Sequence, residues 1–292
     1  MEQATKHALV TGATSGIGYE LAKLLAKDHY NLVLVARNEE NLRETAREME
    51  AASGNVIHTH IFPIDLFEPG AAEKIYTFTR DQNITIDILV NDAGQGEGGL
   101  FVETALAREI DIIQLNIVAL VSLTKYYLKE MVYRNSGRIL QLASAVSKAP
   151  SPQLSVYAAS KAFVLSFTEA LQKEVEDTKV TITALLPNKT DTDFFRKAKT
   201  EHTKMYKEGM IYTPEEVAKA GYDGLMSGAG TVIPGAINKM EAFMNTVLPD
   251  SAVAAEMAMF NAPSDKKDGR SHTQHAPSAR ERERINKVNG DF

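Results

Sequence analysis

The sequence has no cysteine among its 292 residues. That absence removes disulfide frameworks, thiolate nucleophiles, iron–sulfur clusters and cysteine-ligated zinc at once. No stretch approaches the ~18 consecutive apolar residues that span a bilayer. Residues 1–6 are too few and too polar for a secretory signal ahead of the first strand. The expected location is therefore cytoplasmic, with no membrane partner. Charge of either sign is not in large excess: a net charge of −6 gives no electrostatic reason to expect nucleic acid or an anionic surface. His58 and His60 share one strand face without a carboxylate at ligand spacing, and His202 is isolated, so no metal site is expected. No repeat of fixed period is present. What remains is an ordinary globular composition, 44% hydrophobic and 24% charged, whose expected partner is a small molecule.

Hydrophobic patterning gives the fold class. Short apolar, β-branched runs at 8–11, 31–36, 55–61, 86–91, 138–143 and 180–186 alternate with helical periodicity at 19–27, 39–52, 69–80, 103–134 and 153–177. Alternation of this kind implies α/β architecture: parallel strands joined by right-handed crossovers, a doubly wound sheet with helices on both faces. Thr213 caps a further helix opened by Pro214 and Glu215, and a last strand is expected at 230–233. The segment 189–212 breaks the rhythm, carrying Phe194, Phe195, Met205, Tyr206, Met210, Ile211 and Tyr212 among lysines. It follows a strand's carboxyl end, where open sheets bind ligands, and reads as a mobile lid over a substrate. Two amphipathic stretches follow at 236–248 and 251–260. The expected organisation is one catalytic domain over 1–262 and a charged, disordered or partly helical tail over 263–292.

Between the first strand and the first helix lies a glycine-rich loop, Gly12, Ala13, Thr14, Ser15, Gly16, Ile17, Gly18. Glycines let a backbone turn sharply and approach a pyrophosphate, whose charge meets the N–H groups at a helix N-terminus. At the end of the second strand, dinucleotide folds place an acidic residue on the adenine ribose. Here Ala36 and Arg37 stand there, and a guanidinium pairs with a 2′-phosphate that a carboxylate would repel. The expected cofactor is NADP rather than NAD. Asp65, followed by Leu66, ends the third strand and can accept from the adenine amino group. Asn91, Asp92, Ala93 and Gly94 close the fourth, where small residues let a ribose lie against the backbone.

Tyr157 and Lys161 stand four apart and share a helix face. A second copy of that spacing, Tyr19 and Lys23, occurs in the first helix. Context separates them: thirteen residues before Tyr157 is Ser144 at a strand's end, whereas thirteen before Tyr19 is Lys6. With the glycine loop, the 91–94 run, Asn116, Ser144, Tyr157, Lys161 and Pro187 in this order, residues from about 6 to 235 resemble the short-chain dehydrogenase/reductase family in its compact single-domain branch. The resemblance implies a Rossmann-type sheet and hydride transfer between NADPH and a carbonyl or alcohol. It also implies roles: Tyr157 as proton donor or acceptor, Ser144 on the substrate oxygen, Lys161 tuning Tyr157 and binding nicotinamide ribose, and Asn116 holding a relay water. Pro187, Thr190 and Thr192 are implied at the nicotinamide end, and pairing through the helices bearing Asn116 and Tyr157 implies a homodimer or homotetramer.

The chemistry asks for the same groups. Reduction needs an acid within hydrogen-bond reach of the carbonyl oxygen, and using tyrosine as a base near neutrality requires ~4 kcal/mol of phenolate stabilisation for a ~3-unit shift. Two departures from the family's pattern stand out: Asp92 where a second Asn is usual, and Asn188 where Gly usually follows Pro187. Rival readings are a non-catalytic NADP-binding sensor or scaffold, and a sugar-nucleotide epimerase or dehydratase, which would need a larger C-terminal substrate domain. The aromatic and methionine content of 189–212 points to an apolar substrate.

Overall fold

In the parallel sheet, apolar runs without polar alternation become strands covered on both faces. A computed structural model describes residues 6–208, 211–235 and 249–264. Its strands are β1 (His7–Thr11), β2 (Asn31–Ala36), β3 (Thr59–Pro63), β4 (Ile86–Asn91), β5 (Gly137–Leu142), β6 (Val180–Leu185) and β7 (Thr231–Val232). All pair in parallel, in the order β3-β2-β1-β4-β5-β6-β7. Strand order reverses between β1 and β4, and the crevice above their carboxyl ends is where such sheets bind ligands.

The helices in chain order are α1 (Gly16–Lys27), α2 (Glu39–Ala52), α3 (Ala71–Asp81), α4 (Leu106–Ile113), α5 (Leu120–Tyr133), α6 (Ser155–Glu174), α7 (Phe194–Lys197), α8 (Lys204–Lys207) and α9 (Pro214–Ser227). On one face Ala8, Val10, Leu32 and Leu34 pack with Leu21 and Leu25 of α1, Leu42 of α2 and Val217 of α9. Their sequence neighbours Leu9, Val33 and Val35 turn to the other face, against Ile75 of α3 and Leu123 and Tyr127 of α5. Period-two alternation thus survives inside uniformly apolar strands. Thr213 and Glu216 form a reciprocal capping box at α9, with Pro214 in its first turn and Gly228 closing it at φ 73°.

Several boundaries differ from the pattern. The run 55–61 becomes a strand only from Thr59, because Gly54 and Asn55 take positive φ (75° and 61°) and turn the chain out of α2. The expected helix 103–134 is three pieces, α4 and α5 joined by a π-helical turn, Gln114–Ala119. Within segment 189–212, α7 and α8 are single helical turns, and Thr190 bridges Tyr212. A last helix, Asp250–Asn261, buries Val253 and Asn261 and leaves Met259 and Phe260 exposed. Asn261 Nδ2 donates to Ser151 Oγ and Pro152 O, and Lys204 N donates to Ala262 O, tying this helix to α8 and to the approach to α6. The expected stretch 236–248 and the tail beyond 264 lie outside the described residues. Among those described, no helix is long and apolar enough to cross a membrane, and no group of three His, Asp or Glu is placed to hold a metal.

Candidate active site

A cavity of about 430 Å³ opens above the carboxyl ends of the strands. Its floor is the glycine loop. Gly12 (φ 69°) and Gly16 (φ 59°) lie in the left-handed region. A Cβ on Gly12 would stand 2.9 Å from Asp92 Oδ2, and one on Gly16 3.1 Å from Thr192 Cγ2, so neither position takes a side chain freely. Thr14, Ser15 and Ile17 complete this wall. Ser15, at the N-cap of α1, makes no side-chain cap bond, and the first turn carries no acid. Gly18 N–H is taken by the Asp92 carboxylate, and the turn itself supplies no side-chain acceptor to its other N–H groups, as an anion site requires. Gly18 is not on the wall: a Cβ there would lie 2.4 Å from Asp92 Oδ2 and 2.7 Å from Gly12 O, so it serves the close packing of α1.

Arg37, Asp65 and Leu66 line the opposite end. The Arg37 guanidinium lies 5.7 Å over the Phe67 ring, while Glu39 is taken by Arg43. Asp65 Oδ1 accepts from Phe67 N (3.1 Å), which shapes the turn. Asn38, Asn41 and Phe67 also face this end and were not singled out from the sequence. Asn38 was readable as a cap, since its side chain accepts from Asn41 N (2.8 Å) to open α2.

From β4, Ala93 and Gly94 reach the cavity but Asn91 does not. Asn91 is buried, and its Nδ2 donates to Thr124 Oγ1 (3.1 Å) and Gln141 Oε1 (2.9 Å), a polar tie beneath the cavity wall. Thr11 Oγ1 accepts from both Asp92 N and Ala93 N, fixing the turn. Burial raises the Asp92 carboxyl from 3.8 to about 7, opposed by the Lys161 charge and the Gly18 N–H, and its Oδ1 is enclosed without a hydrogen-bond partner.

The end of β5 carries Ser144, which caps a short 3-10 turn, Ala145–Lys148, through a capping box with Ser147. Its hydroxyl also bonds that of Tyr157 from the first turn of α6. One helical turn on, Lys161 is buried, donates to Leu142 O (2.7 Å), and has its Nζ 5.9 Å from the Tyr157 ring centroid. Burial lowers Lys161 to about 8, and the Asp92 charge partly offsets this. Burial raises Tyr157 to about 12, with the Ser144 bond opposing. The ammonium is directed at Leu142 O, and burial dominates.

Asn116 lies beside this group and off the cavity wall. The π-turn sets its side chain to donate to Gln95 O (3.0 Å) and Ser160 Oγ (2.9 Å) and to accept from Gln95 N (3.1 Å). Nothing in the apolar periodicity of 103–134 signalled that turn, although π-bulges often mark functional sites. Pro187, Thr190 and Thr192 complete the wall after β6. Asn188 has no positive φ, so glycine's conformational freedom is not used there; its Oδ1 accepts from Lys189 N (2.8 Å). Phe194, Phe195, Lys197 and Met205 close the cavity from above, and the Phe194 ring sits 4.8 Å from that of Tyr157.

The comparisons agree with this geometry. Residues 6–203 match the family model for short chain dehydrogenases. A putative ketoacyl reductase of Streptomyces coelicolor is 30% identical over 253 residues, 81% of this chain and 96% of the relative. The ketoacyl reductase HetN of a Nostoc species is 34% identical over 182 residues, 62% of this chain and only 62% of the relative's own length. A short-chain dehydrogenase from Sphingobium yanoikuyae, solved in complex with NADPH, superposes with a TM-score of 0.74 at 26% identity, covering 92% of this chain and all of that one. With the β3-β2-β1-β4-β5-β6-β7 sheet, the glycine cradle and the Ser144–Tyr157–Lys161 cluster in place, the chain belongs to the short-chain dehydrogenase family of oxidoreductases.

Proposed function

We propose that the protein is an NADP-dependent reductase of apolar ketones, working through Tyr157. The observation that carries this reading is the hydroxyl pair Tyr157–Ser144 at one end of a cavity whose other end holds Arg37. The residues fit a dinucleotide: Gly12, Thr14, Ser15 and Gly16 would hold the pyrophosphate, Asp65 and Leu66 the adenine, and Arg37 with Asn38 and Asn41 a 2′-phosphate. Ala93 and Gly94 would lie under the ribose and Pro187, Thr190 and Thr192 beside the nicotinamide, with Ile17 packing between. Gly18 and Asn91 support this wall from beneath. When bound, the reduced nicotinamide supplies the hydride that reaches the carbonyl carbon.

Tyr157 gives its hydroxyl proton to the carbonyl oxygen, while Ser144 donates a hydrogen bond to that oxygen as negative charge develops. A phenol held at about 12 stays protonated near neutrality and acts as a donor. Lys161 contributes the ammonium nearest the ring, and Asn116 is assigned to the relay that returns a proton to Tyr157. Leu154, Val146, Phe194, Phe195 and Met205 make the substrate end apolar. The relatives' names favour a 3-oxoacyl compound as the first ketone to try. Leu106, Ile110, Val118 and Phe163, exposed on α4, the π-turn and α6, support a homodimer or homotetramer paired through these helices. The single catalytic domain is assigned to residues 1–262.

The test is NADPH and NADH oxidation, followed by absorbance, against apolar ketones, aldehydes and 3-oxoacyl thioesters. The expected result is turnover with NADPH, and for Arg37→Asp a ~10- to 100-fold loss of NADPH affinity with NADH affected little, from the value of a charge-assisted hydrogen bond. An unchanged NADPH-to-NADH ratio removes the 2′-phosphate assignment. Tight NADPH binding without turnover across the panel favours a sensor.

A further inference from the structure

Glu97 lies three residues beyond Gly94, in the loop between β4 and α4, and its carboxylate is buried, the side chain being 7% exposed. Oε1 accepts from Lys199 Nζ at 2.5 Å, reaching across from the segment after α7. Oε2 accepts from Arg108 Nε of α4 at 3.4 Å, and Arg108 Nη2 donates to Gln95 Oε1. The Gln95 main chain is the part that Asn116 grips from both sides, through N–H to Oδ1 and through Nδ2 to the carbonyl. A continuous polar chain therefore runs from the cover of the cavity to Asn116: Lys199, Glu97, Arg108, Gln95, Asn116.

Two further observations show that the fold accommodates this chain at a local cost. Lys199 sits at φ 59°, the left-handed conformation that glycine takes most easily at the end of a helix. A lysine there brings its ammonium to Glu97, although its side chain is otherwise 72% exposed. The two segments are also pressed together: Gly98 N donates to Ala198 O (2.7 Å), and a Cβ on Gly98 would lie 2.3 Å from Thr200 Cγ2. A Cβ on Gly96 would lie 3.0 Å from Phe194 Cζ and 3.3 Å from Tyr157 Cδ2. Loop 95–99 is thus sandwiched between the cover and the catalytic group.

We propose that Glu97 is a positioning residue: its carboxylate fastens the cover, through Lys199, to the loop and helix that carry Asn116, through Arg108 and Gln95. Phe194 then lies over Tyr157 in register with Asn116. The two arms are separable. The Lys199 arm holds the cover down and acts on substrate retention. The Arg108 arm fixes Gln95 against Asn116 and acts on turnover. The proposal rests on the reading of Tyr157 as the acid and of 189–212 as the cover.

The experiment compares the full-length protein with Glu97→Gln, Lys199→Met and Lys199→Arg, in the presence of NADPH. Tryptic cleavage after Arg196 and Lys204 is followed by mass spectrometry beside kcat, KM, melting temperature and NADPH affinity. Glu97→Gln is expected to speed cleavage at least ~5-fold, raising KM and lowering kcat with NADPH affinity held. Lys199→Met should reproduce the cleavage and KM changes with kcat within about twofold, and Lys199→Arg should restore both. Equal cleavage in wild type and Glu97→Gln overturns the latch. So do changes in KM and kcat that merely follow the melting temperature, or a Lys199→Met that lowers kcat as far as Glu97→Gln does. If no ketone is turned over by the wild type, the function reading fails, and the cleavage rates alone still decide the latch.

Discussion

The molecule contains two tyrosine–lysine pairs of identical helical spacing, and the fold sends them to opposite fates. In α1, Tyr19 donates to Glu48 of α2 at 2.8 Å, and Lys23, about a third exposed, pairs with Glu20 at 3.4 Å. Every charge there has a nearby partner and water. In α6, Tyr157 meets Ser144 instead of a carboxylate, and Lys161 is buried with a main-chain carbonyl as its hydrogen-bond acceptor. Spacing puts two side chains on one face of a helix; the layer beneath that face decides their chemistry. Over a neighbouring helix the pair is a surface tie, and over the carboxyl ends of β4 and β5 it becomes a desolvated acid beside an ammonium with an altered proton affinity.

The largest effect expected from that contrast is on turnover. Tyr157→Phe removes the proposed proton donor and should lower kcat by ~10²- to 10⁴-fold while NADPH still binds, whereas Tyr19→Phe should leave kcat within about twofold. Cofactor oxidation beside a direct binding measurement separates the two, and equal losses in both variants would erase the distinction.

A smaller effect belongs to Asp92, the buried charge nearest Lys161. Its folded value of about 7 lies above the ordinary 3.8, so folding favours the protonated form. That contribution is complete below about pH 4 and is lost as pH rises through about 7. Asp92→Asn stays neutral and keeps an acceptor for Gly18, so it should melt above wild type at about pH 8 and converge with it near pH 4, a gain bounded by ~4 kcal/mol. Without the carboxylate, Lys161 should fall further below about 8, moving the alkaline limb of the activity profile to lower pH. Melting curves that differ by the same amount at both pH values would overturn the raised Asp92 value, and an unmoved alkaline limb would detach Asp92 from Lys161.

The smallest effect sharpens the bland side of the comparison. Removing the Tyr19 hydroxyl breaks one partly exposed bond to Glu48 and should cost only ~1 kcal/mol of stability, read by denaturant unfolding.

How far the sequence carried depends on the range of the interaction involved. The strands β1, β2 and β4 were legible because burial on both faces demands unbroken apolar runs, and the α9 start because Thr213, Pro214 and Glu215 act within one turn. The start of β3 was not, because the left-handed turn at Gly54 and Asn55 overrides the apolar run that follows. Gly12, Gly16, Arg37, Ser144, Tyr157 and Lys161 were legible as motif positions, and all reach the cavity. Asn91 carried the same local signal yet faces Thr124 and Gln141, 33 and 50 residues away along the chain. Glu97 and Lys199 gave no signal, being 102 residues apart and joined only by folding.

By itself, the sequence determined the alternation of strands and helices, the glycine loop and the order of the hydroxyl, phenol and ammonium groups, because these follow from patterns spanning a turn or a strand. Only the tertiary structure decided which tyrosine–lysine pair is desolvated, how the π-turn aims Asn116, and that the Glu97 carboxylate joins the cover to the catalytic group. Burial and long-range hydrogen bonds are properties of surfaces brought together from distant parts of the chain, and no local pattern encodes them.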